Sequence, residues 1–158
     1  MNATRKMATW MEAIPYSAIA LFLRVVVAHP FFVSGQTKIE GPTIGPEIFG
    51  LDLTIQIPTA IRSATFSLFA DEYKLPFLSP NVAAYVTTAM ELVLPLLLVL
   101  GLLTRLSALG LLAMTMVIQI FVYPDAWWTA HAYWVALLIV LIARGPGAVS
   151  LDRLIFRK

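Results

Sequence analysis

The sequence predicts an all-α, polytopic membrane protein: a bundle of four transmembrane helices with an extra amphipathic helix in the outer loop. Hydrophobic residues make up 59% of the 158 residues and charged residues only 13%, whereas soluble domains are about 45–50% apolar and about 25% charged. The mean hydropathy is +0.83. The apolar residues also fall into four runs that approach the roughly 20 residues needed to cross a bilayer. These observations predict a single membrane domain over residues 1–158, with the lipid bilayer as its first partner.

The four apolar runs predict spans over residues 16–35, 82–103, 106–123 and 130–143, with an outer loop over 36–81. Thr104 and Arg105 are predicted to form a very short turn, which makes the second and third spans an antiparallel hairpin. Pro124 ends the third helix, because proline cannot continue a helix without losing a backbone hydrogen bond.

The outer loop contains one segment with helical periodicity. Apolar residues of the 57–73 segment recur at helical spacing, and its charged residues lie off that stripe, so the segment is predicted to be an amphipathic helix at the outer interface. The 40–46 segment contains two prolines and two glycines and is predicted to be irregular. The 51–57 segment alternates like a strand, but a single isolated strand is not expected to be stable.

The basic residues predict the orientation of the bundle. With four spans, Arg5, Lys6, Arg105 and the four basic residues after the last span all fall on one side. Cytoplasmic loops carry an excess of lysine and arginine, so both termini are predicted to be cytoplasmic. Topology thus explains the formal charge of +2, which gives no indication of a nucleic-acid partner. The chain has no cysteine, which excludes a thiol nucleophile or a cysteine-ligated cluster within it.

Arg24 and Glu91 are the main candidate functional residues, because charged side chains inside a membrane are costly and usually face a partner. Counted from the ends of their apolar runs, they lie about 15 Å and about 14 Å deep at 1.5 Å per residue. One charge of each sign at one depth on antiparallel helices predicts an intramembrane ion pair. Such a pair can be purely structural. Alternatively, Glu91 takes and releases protons, or Arg24 holds an anionic head group such as a quinol or semiquinone.

Three further side chains are predicted to lie in the outer half of the bundle, where they can share a cavity with Glu91. His29 and His131 can hydrogen-bond a quinone carbonyl or ligate haem or copper, and Lys38 can bind the same head group. The simpler interpretations are that His131 belongs to an interfacial belt with neighbouring tryptophans and that Lys38 reaches the lipid head groups. No complete set of metal ligands is apparent, so no metal site is predicted.

Several short stretches together resemble the DoxX family of small bacterial membrane proteins. They are Arg24 with the later Gly35-x-x-Lys38, Glu91, the run 100–105 (LGLLTR), and the tail 143–147 (ARGPG) with the SLD of 150–152. The resemblance extends from about residue 18 to about residue 154. It implies a four-helix membrane bundle in the bacterial cytoplasmic (inner) membrane.

The resemblance also implies a function: members are tied to membrane oxidoreductase systems, including a thiosulfate:quinone oxidoreductase subunit. The chain is therefore expected to be the quinone-linked membrane subunit of a redox complex and to act with other protein subunits. Arg24 and Glu91 would then be catalytic, and His29, Lys38 and His131 would bind the quinone. The alternative is a non-catalytic anchor, assembly factor or transport-related accessory protein, in which the charges are structural.

Overall fold

The computed structural model describes residues 13–48, 51, 52 and 54–156, and it confirms the predicted helical membrane bundle. Four helical segments are long and apolar enough to cross a membrane: Tyr16–Thr37 (α1), Pro80–Leu100, Thr104–Phe121 and Pro124–Arg144. Arg5, Lys6, Arg157 and Lys158, which contribute to the predicted orientation, lie outside the described residues.

The outer loop begins with a narrow antiparallel ribbon instead of irregular chain. Its strands are Ile39–Glu40 (β1), Thr43–Ile44 (β2), Glu47–Ile48 (β3), Leu51–Asp52 (β4), Ile55–Gln56 (β5) and Ala60–Ile61 (β6). They pair β1 with β6, β2 with β5 and β3 with β4. The prediction that 40–46 is irregular was therefore wrong. The strand-like alternation of 51–57 does reflect strand structure, because the neighbouring segment supplies the pairing partner.

The predicted amphipathic helix is shorter than expected. Helix α2 covers Ser63–Ser67 and continues as a π-helical turn, Leu68–Tyr73. The first residues of the predicted 57–73 segment are extended and belong to the ribbon. Pro58 gives the physical reason: it lacks an amide hydrogen and its ring disfavours a helical conformation in the residue before it.

The hairpin between the second and third spans turns one step earlier than predicted. Helix α3 is Pro80–Leu100 and helix α4 is Thr104–Phe121, so Thr104 and Arg105 open α4 and do not form the turn. Gly101 ends α3 with φ of +68°, a left-handed conformation that glycine adopts without steric cost.

The fourth span starts earlier than predicted and is not uniformly α-helical. A 3-10 turn, Pro124–Ala126, leads into a π-helical turn, Trp127–His131, and then into helix α5, Ala132–Arg144. A short helix α6, Leu151–Ile155, follows. The bundle core lies between α1, α3, α4 and α5, and its fully buried members include Val27, Leu98, Leu111, Leu138 and Leu141.

Candidate functional site

A buried charged cluster joins α1 and α3 at the end of the bundle that carries the ribbon. The Lys38 ammonium Nζ lies 2.6 Å from Glu91 Oε2, and the two side chains are 5% and 4% exposed. Lys38 also donates to Ser34 Oγ at 2.8 Å, and Ser34 Oγ donates to Glu91 Oε1 at 3.2 Å. Each charged group is thus satisfied inside the protein, as buried ions must be.

A glycine brings the two helices close enough for this cluster to form. A Cβ atom placed on Gly35 would lie 2.9 Å from Leu92 Cδ2 and 3.1 Å from Glu91 Cβ. Small residues of this kind allow transmembrane helices to approach closely. Ser34 and Lys38, four residues apart, lie on one face of the end of α1, and that face is the one directed at Glu91.

The predicted ion pair between Arg24 and Glu91 is not formed; the partner of Glu91 is Lys38. Arg24 is fully buried at the other end of α3, where its guanidinium donates to the carbonyl oxygens of Leu98, Val99 and Val149. The last carbonyls of a helix lack internal partners and carry partial negative charge, so a cation binds there favourably.

The error came from the assumed depth. Counting from the ends of two apolar runs assumes that both runs enter the bilayer at matched positions. In the structure Glu91, the twelfth residue of the 21-residue α3, lies beside Gly35, which is two residues from the end of α1. Helix α3 therefore starts well beyond the end of α1, and this stagger places Arg24 and Glu91 at different depths.

The two histidines are not equivalent. His29 is exposed on the face of α1 that is directed away from the bundle. It does not line the cavity next to Glu91, contrary to expectation. His131 is 3% exposed. Its Nδ1 lies 2.6 Å from Gln119 Oε1, and its ring centroid is 5.1 Å from that of Trp134. His131 is therefore a buried, hydrogen-bonded residue and not a member of an exposed interfacial belt.

A cavity of about 290 Å³ opens next to the charged cluster; we call it the inner pocket. Its walls come from α1, α3, α4, α5 with the turn that precedes it, and the segment between α2 and α3. Most of the wall is apolar: Phe69, Leu75, Phe77, Leu78, Val86, Met90, Ala113, Met114, Val117, Ile118, Val122 and Trp134. The polar wall consists of Ser34, Tyr73, Thr87, Glu91, Tyr123 and His131. Lys38 reaches this wall through its contact with Glu91.

Tyr73 and Tyr123 form a second polar pair at the pocket. Their ring centroids are 6.0 Å apart in an edge-on arrangement. Burial raises the pKa of the Tyr73 phenol above its ordinary value, and the hydrogen bond with Tyr123 and the charges of Glu91 and Glu72 raise it further. Tyr73 therefore stays a neutral hydrogen-bond donor throughout the physiological range.

Sequence reasoning missed Ser34, Tyr73, Tyr123 and Gln119 as members of the site. Ser34 carried a usable signal, because it precedes Lys38 by four residues and so shares its face of α1. Tyr73 and Tyr123 carried none, since they lie in two segments that meet only through the tertiary fold. Among the described residues, no group of three or more His, Asp or Glu side chains is arranged to hold a metal ion.

These features define a helical membrane bundle with a buried ion pair at the polar end of an apolar cavity. The family model described as DoxX matches residues 19–124, and the chain belongs to the DoxX family. It is also 30% identical over 162 aligned positions, covering 92% of this chain and 88% of the relative, to a Haemophilus influenzae protein described as uncharacterized. No solved structure matches the chain.

Proposed function

We propose that the protein is the quinone-binding membrane subunit of a redox complex. The observation that carries the proposal is the inner pocket: an apolar cavity within a membrane bundle whose polar wall contains a carboxylate held by a buried lysine. Family membership supports the same direction, because the DoxX resemblance implies quinone-linked oxidoreductases. In contrast to the sequence-based expectation, the proposed site contains Glu91, Lys38 and His131 but neither Arg24 nor His29.

The shape of the pocket fits a lipid-soluble ligand with a small polar head. Its volume of about 290 Å³ is at the lower end of the range for small-molecule sites, about 300–1,000 Å³, so it suits a head group better than a whole lipid. Phe77 and Val86 on its rim are exposed, at 55% and 44%, and Ala113 on the neighbouring helix is exposed too. In a bilayer this rim faces lipid, so an isoprenoid tail would leave the pocket between α3 and α4.

The polar wall supplies what a quinone head group requires. A quinone provides reversible two-electron, two-proton chemistry, and its carbonyl oxygens need hydrogen-bond donors. The neutral Tyr73 phenol is a hydrogen-bond donor on this wall. His131 donates its Nδ1–H to Gln119 Oε1, so its neutral ring presents Nε2 as an acceptor, which suits a hydroxyl of the reduced quinol. Glu91 is a carboxylate that can hold a proton, and Lys38 supplies positive charge that stabilises negative charge in the pocket.

We expect other subunits to complete the reaction. The chain contains no cysteine, so a thiol or a cysteine-ligated cluster that donates electrons must belong to a partner protein. We also propose the bacterial inner membrane as the location, with both termini cytoplasmic. Arg105, Arg144 and Arg153 support this orientation, because they lie at the end of the bundle opposite the ribbon, where α4 begins and α5 ends, and basic residues concentrate on the cytoplasmic side.

The direct test is a titration of the purified protein with a soluble ubiquinone analogue, followed by the quenching of tryptophan fluorescence. Trp134 lines the pocket, so wild type should show saturable quenching. Glu91→Gln should weaken binding at least several-fold. Glu40→Gln is the matched control: it removes the same charge from an exposed residue that lines neither the inner pocket nor a neighbouring cavity, and it should bind like wild type.

The alternative is a non-catalytic anchor, assembly factor or accessory protein. One observation favours it: Lys38, Ser34 and Glu91 satisfy one another without any ligand, so the cluster can serve packing alone. Absence of saturable binding by wild type would replace the quinone proposal with this alternative.

A further inference from the structure

The charged cluster lies between two cavities and not at the end of one. Besides the inner pocket, a second cavity of about 490 Å³ opens on the outer end of the bundle; we call it the outer vestibule. It is lined by Thr37, Lys38, Ala64, Thr65, Ser67, Leu68, Asp71 and Glu72. Asp71 and Glu72 are exposed, so the vestibule is polar and open to water.

One residue of the ion pair lines each cavity. Lys38 lines the outer vestibule and Glu91 lines the inner pocket, and 2.6 Å separates their polar atoms. Both side chains are almost fully buried, so the pair itself forms the polar link between the water-filled vestibule and the inner pocket. The Lys38 ammonium already directs an N–H at Glu91 Oε2, which is the geometry that a direct proton transfer requires.

We propose that the Lys38–Glu91 pair passes protons between the inner pocket and the outer vestibule, with Asp71 and Glu72 at the external mouth. This inference rests on the proposed function, because the quinone is what takes up or releases the protons. In the inward direction an N–H bond of Lys38 breaks as an O–H bond forms on Glu91. The neutral amine then takes a proton from the vestibule, and no electron moves. The outward direction reverses these steps, so protons are exchanged with the outer face of the membrane.

The groups that face Glu91 leave one competing route. Lys38 and Ser34 face it from α1, while Tyr73, Tyr123 and His131 share the inner pocket with it. Tyr123 also lines a third cavity, of about 350 Å³, together with Asp125. Protons could therefore reach the pocket past Tyr123 from Asp125 instead of through Lys38. The two routes differ in the acidic residue at the mouth and in the need for a lysine.

The test follows the proton on Glu91 and needs no quinone. Full-length protein is reconstituted into proteoliposomes, and a single cysteine at exposed Thr43 reports which molecules have the ribbon outside. Infrared difference spectroscopy records the carboxyl band after the external pH is stepped between about pH 4 and about pH 9, while the lumen stays buffered. The Glu91 band is identified by its loss in Glu91→Gln and its shift in Glu91→Asp, which retains a carboxyl group if the glutamine variant does not fold.

Lys38→Arg is the decisive variant. Arginine keeps the positive charge and the ion pair but does not deprotonate in proteins, so a structural role would leave the titration rate unchanged. Positioned proton-transfer groups commonly contribute about 10²–10⁴-fold, so we expect Lys38→Arg to slow the response of Glu91 by about tenfold or more. The Asp71→Asn/Glu72→Gln double variant should also slow it, and Asp125→Asn should not.

Three results would overturn the proton passage. The first is a Lys38→Arg variant whose Glu91 carboxyl band responds at the wild-type rate. The second is a slower response in Asp125→Asn but not in the Asp71→Asn/Glu72→Gln double variant. The third is a Glu91 band that does not respond to external pH in any protein tested. Because this measurement uses no quinone, none of these results decides whether the protein binds quinone. The quinone titration tests that separately.

Discussion

At the scale of single residues, the Lys38–Glu91 pair should dominate the effects of substitution on stability. Lys38→Met or Glu91→Gln alone leaves the other partner buried without compensation. Breaking a buried pair costs about 3–5 kcal/mol in soluble proteins, and membrane hydrogen bonds measure smaller, so we expect about 2–3 kcal/mol here. The double variant should recover part of this loss, as measured by thermal unfolding in detergent.

A second double-mutant cycle serves as the control for that prediction. Arg24 contacts the carbonyl oxygens of Leu98, Val99 and Val149 and not Glu91, so Arg24→Gln and Glu91→Gln should be additive. Additivity in the Lys38 cycle, or coupling in the Arg24 cycle, would contradict the pairing that the structure shows.

Tyr73 predicts a dependence of stability on alkaline pH. Its pKa is raised in the folded protein by burial first and by its hydrogen bond with Tyr123 next, whereas an unfolded tyrosine ionises at about pH 10. A raised pKa means that the folded protein holds the proton more tightly, so this stabilisation is complete below about pH 10 and is lost as the pH rises above it. The thermal midpoint should fall less steeply above about pH 10 in Tyr73→Phe than in wild type.

Exposed Tyr133, at 62%, is the matched control for the tyrosine prediction. Tyr133→Phe should leave the alkaline slope unchanged. Tyrosinate absorbance provides a second readout, in which Tyr73→Phe should remove a late-titrating phenol. Equal slopes in wild type and Tyr73→Phe would show that the pKa of Tyr73 is the same in the folded and the unfolded protein.

The residue scale also shows what sequence can and cannot predict about a membrane site. A charged residue inside an apolar run is visible directly, so Glu91 was identified without a structure. Its partner was not, because relative depth depends on the stagger of α1 and α3, which hydropathy does not encode. Lys38 was placed in the site, but its simplest interpretation was contact with lipid head groups; the close approach at Gly35 turns it inward instead.

At the scale of elements, the short tail holds together the end of the bundle opposite the ribbon. The Asp152 carboxylate accepts hydrogen bonds from the backbone amides of Leu103 and Thr104 at 2.7 and 2.9 Å. A residue distant in sequence thus satisfies the amides at the start of α4. Its own amide donates to Gly101 O at 2.8 Å. The DoxX-like tail motif therefore has a structural explanation, which the sequence alone could not supply.

This contact predicts a loss of stability in Asp152→Ala. Removing a capping side chain costs about 0.5–2 kcal/mol, and we expect a loss in that range from thermal unfolding in detergent. Arg153→Ala is the control, because Arg153 is an exposed neighbour in the same short helix α6. If both variants unfold alike, the cap contributes nothing measurable.

The outer loop illustrates the same limit for elements. The four membrane helices were predicted because each is defined by its own composition, and the errors were confined to their ends. The ribbon was missed because each of its strands is only two residues long and is stabilised by a partner elsewhere in the loop. An isolated strand is not stable by itself. Each strand of the ribbon becomes stable because it pairs with a strand from the other half of the ribbon.

At the scale of the whole molecule, the two ends of the bundle have different roles. Arg24 and Asp152 tie the tail to α3 and α4 at one end, and the ribbon and the outer vestibule occupy the other. The inner pocket lies between them with its exposed apolar rim on α3 and α4. We therefore expect the proposed quinone to enter the pocket from the bilayer and not from water.

Lateral entry makes a prediction about the rim. Val86→Trp or Ala113→Trp places a large side chain where α3 and α4 border the opening, so association of a long-tailed quinone should slow at least several-fold, measured by stopped-flow quenching in nanodiscs. Ile139→Trp is the matched control, since Ile139 is 52% exposed on α5 and does not line the pocket. A water-soluble, tail-less analogue separates the possible causes: it should be slowed less, because it has no tail to pass between the helices. Equal slowing of both ligands would mean that the substitutions reshape the pocket itself, and no slowing of either would mean that ligands enter elsewhere.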